Sequence, residues 1–85
     1  MIAYSIDVYS KETEDLLFEV EIPESELQEV TQIMGLNEED KFEFSLGIGV
    51  YDINENQARL LENLLNKEFY SSDRDLQLSG GSIKS

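Results

Sequence analysis

The sequence predicts a single small α+β domain, elements in the order β-β-α-β-α-β, with two helices packed on one face of a mostly antiparallel sheet. Three observations predict it. Apolar and polar residues alternate through residues 2–8, 16–22 and 42–50. Apolar residues recur at helical spacing at Leu27, Val30, Ile33 and Met34, and again at Ala58, Leu61 and Leu65. A length of 85 residues at 40% hydrophobic content suits one domain with one core, and no repeat interrupts it.

Ile2, Tyr4, Ile6 and Val8 alternate with Ala3, Ser5, Asp7 and Tyr9, the period of a strand with one buried face. The polar link Ser10-Lys11-Glu12-Thr13 leads to Leu16, Phe18, Val20 and Ile22, which alternate with Leu17, Glu19 and Glu21. Two such runs with a short link predict an antiparallel hairpin, its outward face carrying Asp7, Tyr9, Glu19 and Glu21. Pro23 has no N–H for the ladder and ends the second strand. Ser25 and Gln28 have capping-box spacing, so the first helix is expected over residues 25–34, with Gly35 as its left-handed terminator. Residues 36–40 read as a loop with three consecutive acids.

Phe42, Phe44, Leu46, Ile48 and Val50 then alternate strictly, the strongest strand signal in the chain. Gly47 and Gly49 fall on the opposite face, where glycine weakens a strand, so a bulge or a close neighbour is expected. Asn54 and Gln57 repeat the capping pattern before a second helix, whose apolar face is Ala58, Leu60, Leu61, Leu64 and Leu65. It is expected to end near Asn66, with Phe69 and Tyr70 packed at its end. Residues 75–79 alternate and predict a fourth strand at the sheet edge. Ser79-Gly80-Gly81-Ser82 resembles a linker, so the domain is drawn at 1–79, with 80–85 as a flexible tail. The open sheet face is expected to show Asp7, Glu19, Glu21, Glu43 and Tyr51.

Charge narrows the function classes. Residues 1–40 hold twelve acids and one base (12 − 1, a net of −11), out of −13 for the chain. Such a field repels nucleic acid and anionic membranes, and it attracts and orients a basic partner. The chain has neither cysteine nor histidine, so disulfides, thiolate nucleophiles and the commonest general base are excluded. No enzyme activity, cofactor or metal is expected. The absence of cysteine suits a reducing compartment. No apolar run reaches the roughly 20 residues of a membrane span, and the first residues lack the basic start of a signal peptide. The expected location is cytoplasmic, and the free protein is expected to be a monomer.

Local motifs yield bland readings. Asp52-Ile53-Asn54-Glu55-Asn56 opens like a calcium loop, but Gln57 and Asn63 stand where the loop needs its glycine and bidentate glutamate. Gly47-Ile48-Gly49 lacks the third glycine and the lysine of a phosphate loop. Glu38-Glu39-Asp40 reads as a solvated loop rather than a hard-cation site. Glu19 and Glu21, side by side on an open face, lack the sugar-sized cleft of a glycosidase pair.

What remains is an acidic surface with tyrosines beside it. Tyrosine combines contact area with a polar tip, and surrounding carboxylates pair with Lys and Arg of a partner. A small, acidic, cysteine-free α+β domain resembles the immunity proteins of bacterial toxin systems, both colicin-type and contact-dependent-inhibition. The run from Tyr9-Ser10-Lys11 through Phe18-Glu19-Val20-Glu21-Ile22-Pro23, and Tyr51-Asp52-Ile53-Asn54-Glu55-Asn56-Gln57-Ala58, resemble the hairpin and the strand-to-helix junction of small bacterial domains. The resemblance implies an inhibitor that plugs the groove of a basic nuclease toxin with carboxylates. The residues expected to make that contact are Asp7, Tyr9, Glu19 and Glu21, with Glu24, Glu38, Glu39 and Asp40 beside them. The alternative is an acidic interaction module without a toxin partner: a nucleic-acid mimic, or an adaptor that binds by edge-strand addition.

Overall fold

A computed structural model describes residues 2–82. Four strands form one antiparallel sheet in the order β2-β1-β4-β3: β1 (Ile2–Ser10), β2 (Leu16–Ile22), β3 (Val50–Ile53) and β4 (Arg74–Ser82). Three α-helices, α1 (Leu27–Met34), α2 (Glu38–Ser45) and α3 (Glu55–Leu65), cover one face. The α+β class and the antiparallel sheet agree with the sequence reading. The element order is corrected to β-β-α-α-β-α-β.

The core lies between the sheet and the helices. Ile6, Val8, Val20, Ile22, Ile53, Leu76 and Leu78 point into it from the strands, and Val30, Met34, Phe44, Ala58 and Leu61 from the helices. Each of these side chains other than Ala58 stabilises the fold by about 1.5–3 kcal/mol relative to exposure. Phe69, the largest fully buried side chain, closes the end of α3. Its backbone N–H and that of Tyr70 both donate to one carboxylate oxygen of Glu62, at 2.7 and 2.9 Å.

The expected strand over residues 42–50 is not formed; α2 takes residues 42–45 and a turn follows it, leaving only Val50 of that stretch in a strand. The Asn37 side chain accepts the Asp40 amide at 2.7 Å, and Glu38, Glu39 and Asp40 fill the first helical turn, where negative charge is favoured by the helix dipole. Gly47 (φ 77°) and Gly49 (φ 93°) adopt left-handed backbone and turn the chain, so only Val50–Ile53 remains extended. The alternation was deceptive because Phe44 alone of α2 enters the core, while Phe42 is 66% exposed.

Three further expectations are corrected. The Ser25–Gln28 capping box is not made: a short 3-10 turn, Glu24–Glu26, follows Pro23, and α1 starts at Leu27 without a side-chain cap. The capping box at Asn54 and Gln57 does form, with reciprocal bonds of 2.8 and 3.0 Å, and Gly35 (φ 66°) ends α1 as expected. The last strand is not at the edge. β4 lies between β1 and β3, and Gly80, Gly81 and Ser82 pair with Tyr4, Ala3 and Ile2, so the fold extends past residue 79. Residues 83–85 of the expected tail lie outside the described residues.

Candidate protein-docking surface

The helices leave the second face of the sheet open. Cross-strand register defines what stands on it, because side chains alternate faces along each strand. Glu19, Asp7, Gln77 and Asp52 form one row across all four strands, and Glu21, Ser5, Ser79 and Val50 form the next. Tyr9 and Asp75 are paired one step further along, beside a shallow crevice of about 310 Å³ that Ser10, Glu14 and Gln77 also line. Five carboxylates therefore share this surface: Asp7, Glu19, Glu21, Asp52 and Asp75.

Asp7 is the pinned centre of the array. Ser5 Oγ donates to its Oδ1 and Ser79 Oγ to its Oδ2, each at 2.7 Å, so its own strand and the neighbouring β4 together hold its orientation. Glu19 stands directly across the ladder from Asp7. Like charges in that position are destabilising. The bases do not relieve them. Among the described residues the ion pairs are Lys41–Glu38 at 3.8 Å and Arg59–Glu55 at 2.9 Å, both within helices. Arg74 lies over the Phe18 ring, 5.4 Å from its centroid, and donates to the Phe69 carbonyl.

The eight residues singled out from sequence divide into two groups. Asp7, Tyr9, Glu19 and Glu21 come together on the open face. Glu38, Glu39 and Asp40 do not join them; they form the first turn of α2 in the helical layer. Glu24 lies in the 3-10 turn after Pro23. Burial, and then the charge of Glu24, raise the pKa of Tyr4, whose ring lies on the helical side against Phe44, 4.5 Å between centroids. Tyr51 and Glu43 are also moved off the open face. Tyr51 packs edge-on against Phe44, and its hydroxyl donates to the Asp40 carbonyl at 3.3 Å. Burial first, then Asp40 and Glu43, raise its pKa. Glu43 belongs to α2. Asp52 and Asp75 were missed as members of the face; their alternation with buried Ile53 and Leu76 was the available signal.

The face is broad, and the crevices described on it are shallow and open; one of them, beside Asp52, Asp75 and Gln77, is also lined by Lys11 and Arg74. Among the described residues, no three His, Cys, Asp or Glu side chains converge as a metal-binding group, and no helix is long and apolar enough to cross a membrane.

Fold and surface together define a small α+β domain with a half-covered antiparallel sheet and an acidic open face. Residues 3–79 match the family described as Domain of unknown function (DUF7683), and the chain belongs to that family. No curated protein and no solved structure matches the chain.

Proposed function

We propose that this protein is an inhibitor of the immunity-protein class, which binds a basic nuclease-type toxin domain through the open acidic face of its sheet and performs no chemistry. One observation carries the reading: Glu19, Asp7 and Asp52 share a single cross-strand row without an ion-pair partner, and Glu21 lies beside it. Uncompensated like charges lower the domain's own stability, and local conflicts of this kind concentrate at functional surfaces. The groove of a nucleic-acid enzyme is arranged for a row of negative charges. A rigid sheet supplies such a row with little ordering cost, since the strands already hold the side-chain origins in place.

The test is capture with the purified protein as bait, from lysate of its source organism, at low and high salt. The expected result is one dominant basic protein, released by salt, whose nuclease activity the bait suppresses. Capture of many unrelated nucleic-acid-binding proteins would favour a general nucleic-acid mimic. No salt-sensitive capture would leave the acids as a solubility feature and overturn the reading.

A further inference from the structure

We infer that the free edge of β3, together with the apolar side chains beside it, accepts an extended segment of the partner as an added strand, with Lys or Arg alternating with apolar residues in that segment. The inference rests on the reading above that the partner is basic, and it assigns the edge at which docking is anchored.

β3 pairs with β4 alone, so alternate residues of Val50–Ile53 direct their backbone N–H and C=O groups away from the sheet. The opposite edge is less suited to addition. β2 carries a register irregularity opposite Val8 and Tyr9, and Pro23 follows its last residue. A strand as short as β3 offers few ladder bonds, so a stable addition needs side-chain anchors. Val50 of the strand itself is 59% exposed and Ile48, two residues before it, 55% exposed; Phe42 and Leu46, in the helix and turn that lead into the strand, are 66 and 50% exposed.

Phe42 and Leu46 are four residues apart at the end of α2 and share a side of the helix. The turn that follows is fixed by the Ile48 N–H donating to the Glu43 carbonyl at 3.0 Å, and the Tyr51 hydroxyl ties β3 back to α2 at Asp40. Val50 also belongs to the open sheet face, in the row of Glu21, so the apolar corner and the acidic face are continuous. Apolar anchors beside a charged surface are the usual anatomy of an interface.

Charge decides the occupant. Asp40 and Glu43 of α2 lie close enough to Tyr51 to raise its pKa, and Asp52 stands on β3 itself; Lys11 and Arg74 line the crevice at the Ile53 end, where Asp75 and Glu55 also stand. A second copy would bring the same acids against themselves, at −13 per chain. A basic strand answers them.

The probe is a short synthetic peptide of alternating Lys and Val, titrated into the full chain and followed by backbone amide chemical shifts and hydrogen exchange. The expected result is shift and protection at residues 50–53. N-methylation of the peptide on alternate residues should weaken binding by roughly tenfold or more, because main-chain bonds supply the affinity of strand addition. A Glu/Val peptide should not bind, and Ile48→Asp should lose the Lys/Val peptide. The N-methylated peptide tests the edge without altering the protein, so a misfolded variant cannot mask the answer. Equal binding of the N-methylated peptide overturns strand addition. Shifts confined to residues such as Asp7, Glu19 and Glu21 overturn the edge assignment while the acidic-face reading stands. No binding of the Lys/Val peptide anywhere overturns strand addition at this edge, and the capture experiment alone decides the acidic-face reading. Protection of residues 50–53 that grows with protein concentration alone gives the edge to a second copy and overturns the inference.

Discussion

The ring of Tyr4 on β1 lies over Gly80 on β4, its antiparallel partner, so closely that a Cβ on Gly80 would stand 2.9 Å from Cδ1 and Cε1 of the ring. The ring is not free to withdraw. Its hydroxyl donates to the Ser45 carbonyl at 2.9 Å, and Phe44 packs against it. The Cα of Gly47 lies 3.2 Å from the same hypothetical Cβ, so strand, helix and turn meet at this one glycine. Gly80→Ala is expected to lower unfolding free energy by about 1–3 kcal/mol, the usual cost of overpacking. Gly81→Ala has open space within 4 Å and is expected to stay within about 0.5 kcal/mol of the parent. Chemical denaturation of the two variants checks the contrast.

Glu62 fastens the segment that delivers Phe69 to the core. Both amides it accepts become orphans in Glu62→Ala, and hydrogen bonds to a charged group contribute about 1.5–3 kcal/mol. A loss near the middle of that range is expected, half-exposure of the site tempering it. Glu62→Gln keeps an acceptor oxygen and should recover most of it. Thermal melts of the three proteins decide this.

Tyr4 and Tyr51 both have pKa values raised above the ordinary 10.0, chiefly by burial. In the unfolded chain they lose protons first as pH rises, so the native state holds more protons between the unfolded and folded values. Their contribution is complete below pH 10.0 and is lost as pH climbs through the folded pKa. Stability measured across that alkaline range should fall, and the fall should be shallower in Tyr4→Phe and Tyr51→Phe.

Glu19 faces Asp7 across the ladder, so neutralising it should help the fold while harming its use. Glu19→Gln is expected to raise unfolding free energy by about 0.2–1 kcal/mol and to slow association with a basic partner. A variant that is less stable than the parent would mean the pair is not repulsive.

Much of this was legible in the sequence, for a physical reason. β1, β2, α1 and α3 bury one face each against a single core, so the spacing of Ile6 and Val8, or of Ala58 and Leu61, reports it directly. α2 was not legible from spacing, because it commits only Phe44 to the core. Its better signals were Asn37 followed by three acids, and two glycines closing the stretch. Half of the candidate site was legible for the same reason. A hairpin specifies its own outward face, which placed Asp7, Tyr9, Glu19 and Glu21 together. Asp52 and Asp75 join them only through the pairing of β4 with both β1 and β3, and local alternation does not encode that strand order.

The measurement that bears most directly on the acidic face as a docking surface is the association rate of the captured basic protein with the parent chain and with Glu19→Lys/Glu21→Lys, at low and high salt. Both side chains are exposed and Glu19→Lys also removes the like-charge pair with Asp7, so the variant should fold and melt no lower than the parent. At low salt, charge reversal should slow association by roughly tenfold or more, and high salt should close the gap by screening. Equal rates for parent and variant at low salt would contradict the account.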